Sequence, residues 1–260
     1  MTEGAATPPV FLADGLPAGE HAVLDGEQAR HAMTVRRMRA GEQLVLSDGA
    51  GGLADCVIDA VRPGRAPVVE LRVLRSRSVP APRPRVVVVQ ALVKGDRGEL
   101  AVELATEAGA DVIVPWQAAR CVARWDDGTR ADKALARWRG TARAAAKQAR
   151  RAWVPEVREP VRTPELAASL RSGWHGVVLE AGAVCSLDEV ALPGEGELAL
   201  IVGPEGGVSA DELDMLRAAG ATPARLGATV LRASSAAAVA LGAIGVLTGR
   251  WRTSAPDGGG

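Results

Sequence analysis

The sequence predicts an α/β protein in which a small N-terminal β-barrel precedes a larger domain with a mainly parallel sheet. Two observations support this prediction. Before residue 79 the expected elements are mostly strands separated by turns, whereas after residue 84 strands and helices alternate. The proline-rich segment between them resists both helix and central strand. We therefore expect a barrel over residues 1–78, a linker over 79–84, an α/β domain over 85–252 and a disordered tail over 253–260.

Three strands and one helix are expected before the linker. Residues 43–47, 53–61 and 67–76 are rich in Val, Leu and Ile, and turn-forming glycine and proline segments separate them. A short helix is predicted over residues 27–38, with Asp25 as its cap. This succession of short strands favours a small barrel.

After the linker, the apolar run 86–92 is typical of a strand buried on both faces of a parallel sheet. Further strands are predicted at residues 111–114, 177–179, 198–202 and 224–226. Helices are predicted over 98–108, 131–151 and 234–249. Two more begin at Thr163, a plausible cap followed by proline, and at Ser209, which forms a capping box with Glu212.

Composition excludes several classes of protein. With 47% apolar and 24% charged residues, the chain is not intrinsically disordered. Three widely spaced cysteines, none in a Cys-x-x-Cys pair, argue against a disulfide framework and a structural zinc, and fit a reducing cytoplasm. The N-terminus does not resemble a signal peptide, and the longest apolar run, residues 236–247, is too short to span a membrane. We expect a cytoplasmic protein without a metal or a membrane partner.

Charge is balanced overall but divided into blocks along the chain. Residues 30–41 carry four arginines and no acid, residues 71–85 five arginines and no acid, and residues 130–151 eight bases and one acid. Such blocks are expected of a protein that binds a polyanion, although arginines that merely coat solvated helices give the same pattern. We expect the arginines within residues 36–39 and 72–85 to contact phosphates.

The segment after the predicted strand 198–202 is the most informative one. It reads Gly-Pro-Glu-Gly-Gly over residues 203–207 and leads into the helix capped by Ser209. Ligands of open α/β sheets bind beyond the carboxyl ends of the strands, where glycines let the backbone approach them closely. The segment is not a P-loop, and no Gly-x-Gly-x-x-Gly follows a strand. A tight turn without any ligand would give the same pattern.

Two further strand ends carry loops of this kind. Residues 179–182 read Leu-Glu-Ala-Gly, and residues 226–232 read Leu-Gly-Ala-Thr-Val-Leu-Arg before an alanine-rich helix that Ser234 or Ser235 would cap. Because it precedes a buried helix, Arg232 is expected to face a cleft. The three loops together outline a pocket with backbone donors and few charged side chains.

This set of loops resembles the SPOUT class of RNA methyltransferases, and within it the ribosomal RNA small-subunit methyltransferase E family, which methylates N3 of a uridine in 16S rRNA. Three further motifs agree. Lys94-Gly95 with Thr-Glu-Ala-Gly at 106–109 resembles the family's Lys-Gly…Thr-Glu-Leu-Gly, and Gln-Ala-Arg-Arg at 148–151 resembles its Gln-x-x-Arg. His31 with Val-Arg-Arg at 35–37 resembles its His…Val-Leu-Arg. The similarity covers residues 28–247.

The resemblance implies a trefoil-knotted C-terminal domain, an exception to the rule that chains are unknotted, and a PUA-like RNA-binding barrel in a homodimer. It also implies S-adenosylmethionine as cofactor and 16S rRNA, naked or in the assembled small ribosomal subunit, as substrate. The residues implied for the cofactor are Leu179, Glu180, Ile201, Gly203, Pro204, Glu205, Gly206, Gly207, Leu226, Gly227, Val230, Leu231 and Ser235. Those implied for RNA are His31, Arg36, Arg37, Arg39, Lys94, Gln148 and Arg151.

Arg232 is the predicted catalytic residue. The N3 nitrogen of uridine becomes nucleophilic when it loses its weakly acidic proton, and a cation near O2 or O4 stabilises the resulting anion. Proximity to the methyl donor would supply the rest, without a metal or a covalent intermediate. The family often has Glu where Ser234 and Lys147 stand in this chain, so no carboxylate base is assigned.

Two other functions remain open from the sequence. A SPOUT ribose 2′-O-methyltransferase acting on rRNA or tRNA would use the same cofactor pocket. A non-catalytic RNA-binding or ribosome-assembly module would keep the fold without the chemistry. A dinucleotide-dependent metabolic enzyme is disfavoured, because its glycine fingerprint and the matching acid are missing.

Overall fold

The computed structural model describes residues 7–126 and 128–252, and these divide into two units. One unit runs to Ala81 and also includes Ala146–Val154, while the other contains Pro82–Ala145 and the chain from Pro155 onward. The tail predicted over residues 253–260 lies outside the described residues.

The first unit is built on a sheet with five strands among its described residues. These are β1 (Val10–Leu12), β2 (His21–Leu24), β3 (Gln43–Ser47), β4 (Gly52–Arg62) and β5 (Val68–Ser78). The order across the sheet is β1-β3-β4-β5-β2, with β1 parallel to β3 and all other pairs antiparallel. Phe11, Leu44, Ile58 and Leu71 are fully buried between the strands and the short helix α1 (Gly26–Arg30).

The predicted strands of this unit are confirmed, but the predicted helix is wrong in length. Helix α1 gives way after Arg30 to a π-helical turn over His31–Val35, and Arg37 adopts a φ of 53°, in the left-handed region that ends the helix. Asp25 occupies the N-cap position, yet its side chain accepts no capping hydrogen bond. The short strands β1 and β2 have too few residues to show a periodic pattern, so the sequence did not predict them.

The segment Ala146–Val154 is held in the first unit by the turn before β4. Gly51 N–H donates to Ala152 O and Val154 N–H donates to Gly49 O, each at 2.9 Å. Trp153 Nε1 donates to Val79 O at 2.9 Å. Gly51 adopts a φ of 97°, and a Cβ there would lie 2.5 Å from Trp153 Cζ2. Only glycine allows the indole to pack so closely on this turn.

The second unit is an α/β layer structure with a fully parallel sheet. Its described strands are β6 (Arg85–Ala91), β7 (Val112–Trp116), β8 (Glu156–Val157), β9 (His175–Leu179), β10 (Glu197–Val202) and β11 (Thr222–Ala224), in the order β11-β9-β10-β6-β7-β8. Its helices are α2 (Arg97–Glu107), α3 (Gly128–Gln148), whose last residues belong to the first unit, α4 (Thr163–Arg171), α5 (Ala210–Ala218) and α6 (Ala233–Leu247). The fold class predicted from the sequence, a small β unit followed by a parallel α/β unit, is confirmed; the knot stays a prediction.

Most predicted elements of the second unit are present, and the differences have local causes. The last strand ends at Ala224 and not at residue 226, because Leu226 belongs to the loop that follows. Helix α3 ends at Gln148, and Arg150 then adopts a φ of 55°. The capping box of Ser209 with Glu212 is confirmed. Thr163 does not cap α4: it is the first helical residue, after Arg162 at the N-cap.

The strand order brings the carboxyl ends of three strands to one edge of the sheet. Leu179 at the end of β9 pairs with Val202 of β10 on one side and with Ala224 of β11 on the other. Val86–Val89 of β6 have no exposed surface, as expected of a strand covered on both faces. The loops that leave these strand ends are therefore held together by a rigid sheet.

A buried ion pair fastens the opposite edge of the sheet, where β6 and β7 begin. Arg250 Nη2 lies 2.9 Å from Asp111 Oδ2, and these side chains are 6% and 8% exposed. Asp111 Oδ2 also accepts the N–H of Val86 at 2.8 Å. Arg250 donates further to the carbonyls of Gly109 and Pro84. The chain after α6 is thus tied to the start of the sheet.

Candidate active site

The carboxyl ends of β9, β10 and β11 open into a cavity of about 370 Å³. Three loops line it, and they are the ones that follow these strands. Arg97, at the start of α2, adds a side chain from a fourth segment. A cavity of this size falls within the usual range for small-molecule sites, about 300–1,000 Å³.

Most residues predicted to contact the cofactor line this cavity. They are Leu179, Glu180, Gly203, Pro204, Glu205, Gly207, Leu226, Gly227, Val230 and Leu231, and the predicted catalytic residue Arg232 lies among them. Three predicted residues do not line it. Ile201 is completely buried inside β10. The carbonyl of Gly206 accepts from Arg120 Nη1 at 3.0 Å, and Ser235 Oγ donates to the carbonyl of Arg232 at 3.3 Å.

The loop between β10 and α5, residues 203–207, is hereafter the glycine loop. Gly207 N–H donates to Pro204 O at 2.9 Å, which closes a tight turn. Gly207 adopts a φ of 72°, where side chains are strained, and a Cβ at Gly203 would lie 2.8 Å from Val208 Cγ2. Both positions require glycine, and the wall of the cavity is here largely backbone.

Three arginines line the cavity, and they differ in their partners. Arg97 Nη1 lies 3.6 Å from Glu205 Oε1. Arg225 Nη1 donates to Ala183 O at 2.9 Å and to Val184 O, so its guanidinium holds the loop after β9. The guanidinium of Arg232 is exposed and has no hydrogen-bond or ion-pair partner among the residues that the structure describes. It is the cavity arginine that remains available to a ligand.

Several lining residues were missed from the sequence. They are Arg97, Ala181, Val202, Val208, Ala224, Arg225, Thr229, Ala233, Ser234 and Ala236. Arg97 had a detectable signal, since it follows the Lys94-Gly95 motif at the start of a helix. Ser234, predicted as a possible helix cap and as the position where the family often has Glu, is a 5% exposed residue of the wall. The small apolar residues carry no signal that separates a cavity wall from a core.

Most of the residues predicted to bind RNA lie in the first unit. They are His31, Arg36, Arg37, Arg39, Gln148 and Arg151. The three arginines of residues 36–39, hereafter the basic segment, and Gln148 are exposed, while His31 and Arg151 are half-buried. Lys94 is exposed in the second unit, after β6.

His31 lies beside an unusual cation site. Its ring meets Phe11 edge-to-face at 5.9 Å, and Lys147 Nζ lies 4.9 Å from the centre of the Phe11 ring and 3.1 Å from Gln28 Oε1. Burial, and then the charges of Lys147 and Arg36, lower the pKa of His31. Its imidazole is therefore neutral at neutral pH and can donate one hydrogen bond and accept another.

Four of the five arginines within residues 71–85 pair with acids that are distant in sequence. Arg72 pairs with Asp59 at 3.4 Å and Arg77 with Asp55 at 3.5 Å, on the neighbouring strand β4. In the second unit, Arg83 and Arg85 also form ion pairs, with Glu195 at 3.4 Å and with Glu156 and Glu197 at 3.0 Å and 3.3 Å. The run of arginines at 72–85 is thus a weaker candidate for phosphate contacts than the basic segment.

The part of the chain that the structure describes gives no evidence for a metal site, a membrane-spanning helix or an activated thiol. Residues 7–126 and 128–252 contain no cluster of three His, Cys, Asp or Glu side chains that could hold a metal ion. No helix within these ranges is long and apolar enough to cross a membrane. Burial raises the pKa of Cys56 to about 11 and also raises that of Cys121, so neither thiol is an activated nucleophile.

Comparison with protein families gives two matches. Residues 80–245 match the model of an RNA methyltransferase domain, and residues 24–70 match that of an RNA methyltransferase PUA domain. The chain is 54% identical over 253 residues to the ribosomal RNA small subunit methyltransferase E of Mycobacterium tuberculosis, and the alignment covers 95% of each protein.

Two solved structures are similar along most of their length. One is a ribosomal RNA small subunit methyltransferase E from Neisseria gonorrhoeae bound to S-adenosylmethionine, with a TM-score of 0.81, 26% identity and coverage of 92% of this chain and 98% of that one. The other is a methyltransferase of Legionella pneumophila in complex with the same cofactor, with a TM-score of 0.79, 27% identity and coverage of 93% and 98%.

Proposed function

The chain belongs to the ribosomal RNA small subunit methyltransferase E family, and we propose that it transfers a methyl group from S-adenosylmethionine to N3 of a uridine in 16S ribosomal RNA. One observation carries this proposal. A cavity walled by the glycine loop and two other strand-end loops is also lined by Arg232, whose guanidinium has no hydrogen-bond or ion-pair partner within residues 7–126 and 128–252. One cavity therefore offers both a shape that fits the cofactor and a cation that can approach the reacting base.

The cavity fits S-adenosylmethionine by its chemistry. The cofactor carries positive charge on its sulfonium and amino groups, and the carboxylate of Glu180 lies in the wall; that of Glu205 is also there but already faces Arg97 at 3.6 Å. Its adenine and ribose need backbone hydrogen-bonding groups and apolar surface, which the glycine loop and Leu226, Val230 and Leu231 provide. When bound, the cofactor supplies a methyl group that is activated by its sulfonium.

Arg232 acts on the other reactant. Uridine N3 is nucleophilic only after its proton is lost, and the negative charge then spreads to O2 and O4. The guanidinium of Arg232 stabilises that charge, which lowers the pKa of N3–H and favours the reactive anion. Ser234 and Lys147 stand where the family often has Glu, so we assign no carboxylate as the base and propose that solvent water takes the proton.

RNA is positioned by side chains outside the cavity. We propose that Arg36, Arg37 and Arg39, with Arg151 and Lys94, contact phosphates, and that His31 and Gln148 add hydrogen bonds; their exposed or half-buried positions and the match to a PUA domain support this. The family resemblance further supports a cytoplasmic homodimer that acts on 16S rRNA or on the assembled small subunit. We likewise propose that residues 1–78 form the RNA-binding domain and residues 85–252 the methyltransferase domain.

The proposal is tested by transfer of labelled methyl from S-adenosylmethionine to 16S rRNA or to isolated small subunits, followed by mass spectrometry of the nucleosides. We expect 3-methyluridine with the wild-type protein. Arg232→Ala should reduce transfer by about 10³-fold while S-adenosylmethionine affinity stays within about twofold, because the lost interaction is made to the reacting base.

Arg217→Ala is the matched control, because Arg217 is an arginine of α5 outside the cavity that pairs with Asp214. It should retain full activity. A 2′-O-methylated product would indicate the ribose methyltransferase. RNA binding without any transfer would indicate the non-catalytic module, and full activity of Arg232→Ala would remove that residue from the mechanism.

A further inference from the structure

A buried carboxylate behind the glycine loop takes no part in the transfer described above. Glu212 of α5 is 7% exposed, and both of its oxygens accept hydrogen bonds. Its Oε1 accepts from Thr163 Oγ1 at 2.7 Å and from the N–H of Ala119 at 2.8 Å. Its Oε2 accepts from Ser209 Oγ at 2.9 Å and from Ser209 N–H at 3.3 Å. Four donors therefore converge on one carboxylate.

The donors come from three separate segments, and one of them adjoins the cavity. Thr163 begins α4, Ala119 lies in the loop after β7, and Ser209 follows the glycine loop. Trp116 Nε1 donates to Thr163 Oγ1 at 3.2 Å, which directs the threonine proton to Glu212. A single side chain thus joins the end of the glycine loop to two fixed parts of the fold.

The loop after β7 contacts the glycine loop at a second point. Arg120, which follows Ala119, donates from Nη1 to the carbonyl of Gly206 at 3.0 Å. The glycine loop is therefore held at its start by β10, in its middle by Arg120 and at its end by Glu212. Glycine residues adopt many conformations, so a loop of this composition needs such attachments to keep one of them.

The carboxylate is suited to this role only in its ionised form. Burial raises the pKa of Glu212, but the hydrogen bonds from Thr163, Ala119 and Ser209 outweigh it, and the pKa lies below its ordinary value. An amide in its place would present N–H groups to donors that already point at it, so at least one buried donor would lose its partner.

We infer that Glu212 is a positioning residue for the cofactor: by fixing Ser209 against Ala119 and Thr163, it holds the glycine loop in the conformation that binds S-adenosylmethionine. Glu212 does not line the cavity and touches no reacting atom. The inference rests on the proposed function, because it identifies the ligand of the loop with the methyl donor.

The test compares Glu212→Gln with Asp111→Asn. Asp111 is also a buried carboxylate with hydrogen-bonded partners, but it lies at the opposite edge of the sheet from the cavity. Both substitutions should lower the melting temperature. Glu212→Gln should also raise the Kd and KM for S-adenosylmethionine at least about tenfold, about 1.4 kcal/mol, with kcat at saturating cofactor within about twofold. Asp111→Asn should leave all three unchanged.

Hydrogen exchange adds a measurement that needs no cofactor. The amides of Ala119 and Ser209 should exchange faster in Glu212→Gln than in the wild type, and at the wild-type rate in Asp111→Asn. If the wild-type protein bound no S-adenosylmethionine, the proposed function would fail, and these amides would still decide whether Glu212 holds the loop. Unchanged exchange, or an equal loss of affinity in both variants, would overturn the inference.

Should Glu212→Gln fail to fold, Thr163→Val provides the second variant. It removes one donor to the carboxylate, and with it the acceptor of Trp116 Nε1, but leaves the charge of Glu212 in place. We expect a smaller rise in the Kd for S-adenosylmethionine, together with faster exchange at Ser209. Wild-type affinity and exchange in Thr163→Val would contradict the positioning role.

Discussion

The two candidate binding surfaces of this protein, the cavity and the basic segment, are built in opposite ways. The cavity uses backbone, small side chains and a buried carboxylate behind its glycine loop, and two of its three arginines are engaged by the protein itself. The basic segment uses exposed arginine side chains at 36, 37 and 39. The first surface depends on shape and the second on charge. A single substitution in the cavity should therefore change cofactor affinity strongly. Substitutions in the basic segment should weaken RNA binding step by step and change its dependence on salt.

Among tests that compare the two surfaces, the largest effect is expected from a substitution within the glycine loop. Gly207→Ala places a side chain at a φ of 72°, which costs about 1–2 kcal/mol in the folded loop. If the loop shifts to relieve this strain, the Kd for S-adenosylmethionine should rise about tenfold by calorimetry.

Gly196→Ala is the control for that strain. Gly196 has a φ of 76°, nothing lies within 4 Å of an added Cβ, and it does not line the cavity. Its substitution should cost similar stability and leave the affinity unchanged. Equal affinities in both variants would show that the loop does not shape the cofactor site.

The basic segment should respond in a graded manner. The triple substitution of Arg36, Arg37 and Arg39 by Ala should weaken RNA binding about tenfold at moderate salt, and should reduce the slope of log Kd against log salt by about 2, near 0.7 per lost phosphate contact on single strands. Filter binding or fluorescence anisotropy at several salt concentrations measures both. An unchanged slope would show that these arginines do not contact phosphates.

RNA binding should also respond to pH, through His31. Because burial and the charges of Lys147 and Arg36 lower the pKa of His31, the imidazole is neutral at pH 7 and gains its proton only below its ordinary value of 6.5. RNA affinity should then rise a few-fold on acidification, since binding to a polyanion favours the charged form.

His31→Gln should abolish that rise, and methyl transfer at pH 7.5 should be affected little. The stability of the folded protein should change with pH in the direction opposite to RNA affinity. Folding lowers the pKa of His31, so the folded protein favours the neutral imidazole. Its contribution to the free energy of unfolding is complete above pH 6.5 and is lost as the pH falls below that value. A pH-independent RNA affinity in the wild type would remove His31 from the interface.

The smallest effect is expected from arginines that are paired within the protein. Arg72→Ala with Arg77→Ala should change RNA affinity by less than about twofold, because Asp59 and Asp55 already compensate these charges and exposed pairs contribute about 0–1 kcal/mol. The same assay as for the basic segment measures it. A loss as large as that of the triple variant would remove the distinction between the two blocks.

The fold could be predicted from the sequence where a pattern is complete within one element. Strand β3 matches its prediction at residues 43–47, because turn-forming residues bound an apolar stretch on both sides. Strands β1, β2 and β8 have only three, four and two residues, and pairing with distant strands, not local sequence, creates them.

The candidate site was predictable to the extent that it consists of loops with a motif. Ile201, Gly206 and Ser235 lie in the predicted segments but not in the cavity wall, because neighbouring residues point in different directions and only the folded chain shows which ones face inward. The pairing of Arg83 with Glu195 joins residues far apart in sequence. Such partners cannot be read from the sequence, so only the structure shows that the arginines at 72–85 are weaker candidates for phosphate contacts than the basic segment.

The most direct test of the central claim is made in cells. The 16S rRNA nucleosides of a strain that lacks the gene are compared with those of the same strain carrying the wild-type protein or Arg232→Ala. We predict that 3-methyluridine disappears on deletion, returns with the wild type and does not return with Arg232→Ala. Persistence of 3-methyluridine in the deletion strain, or its return with Arg232→Ala, would contradict the account.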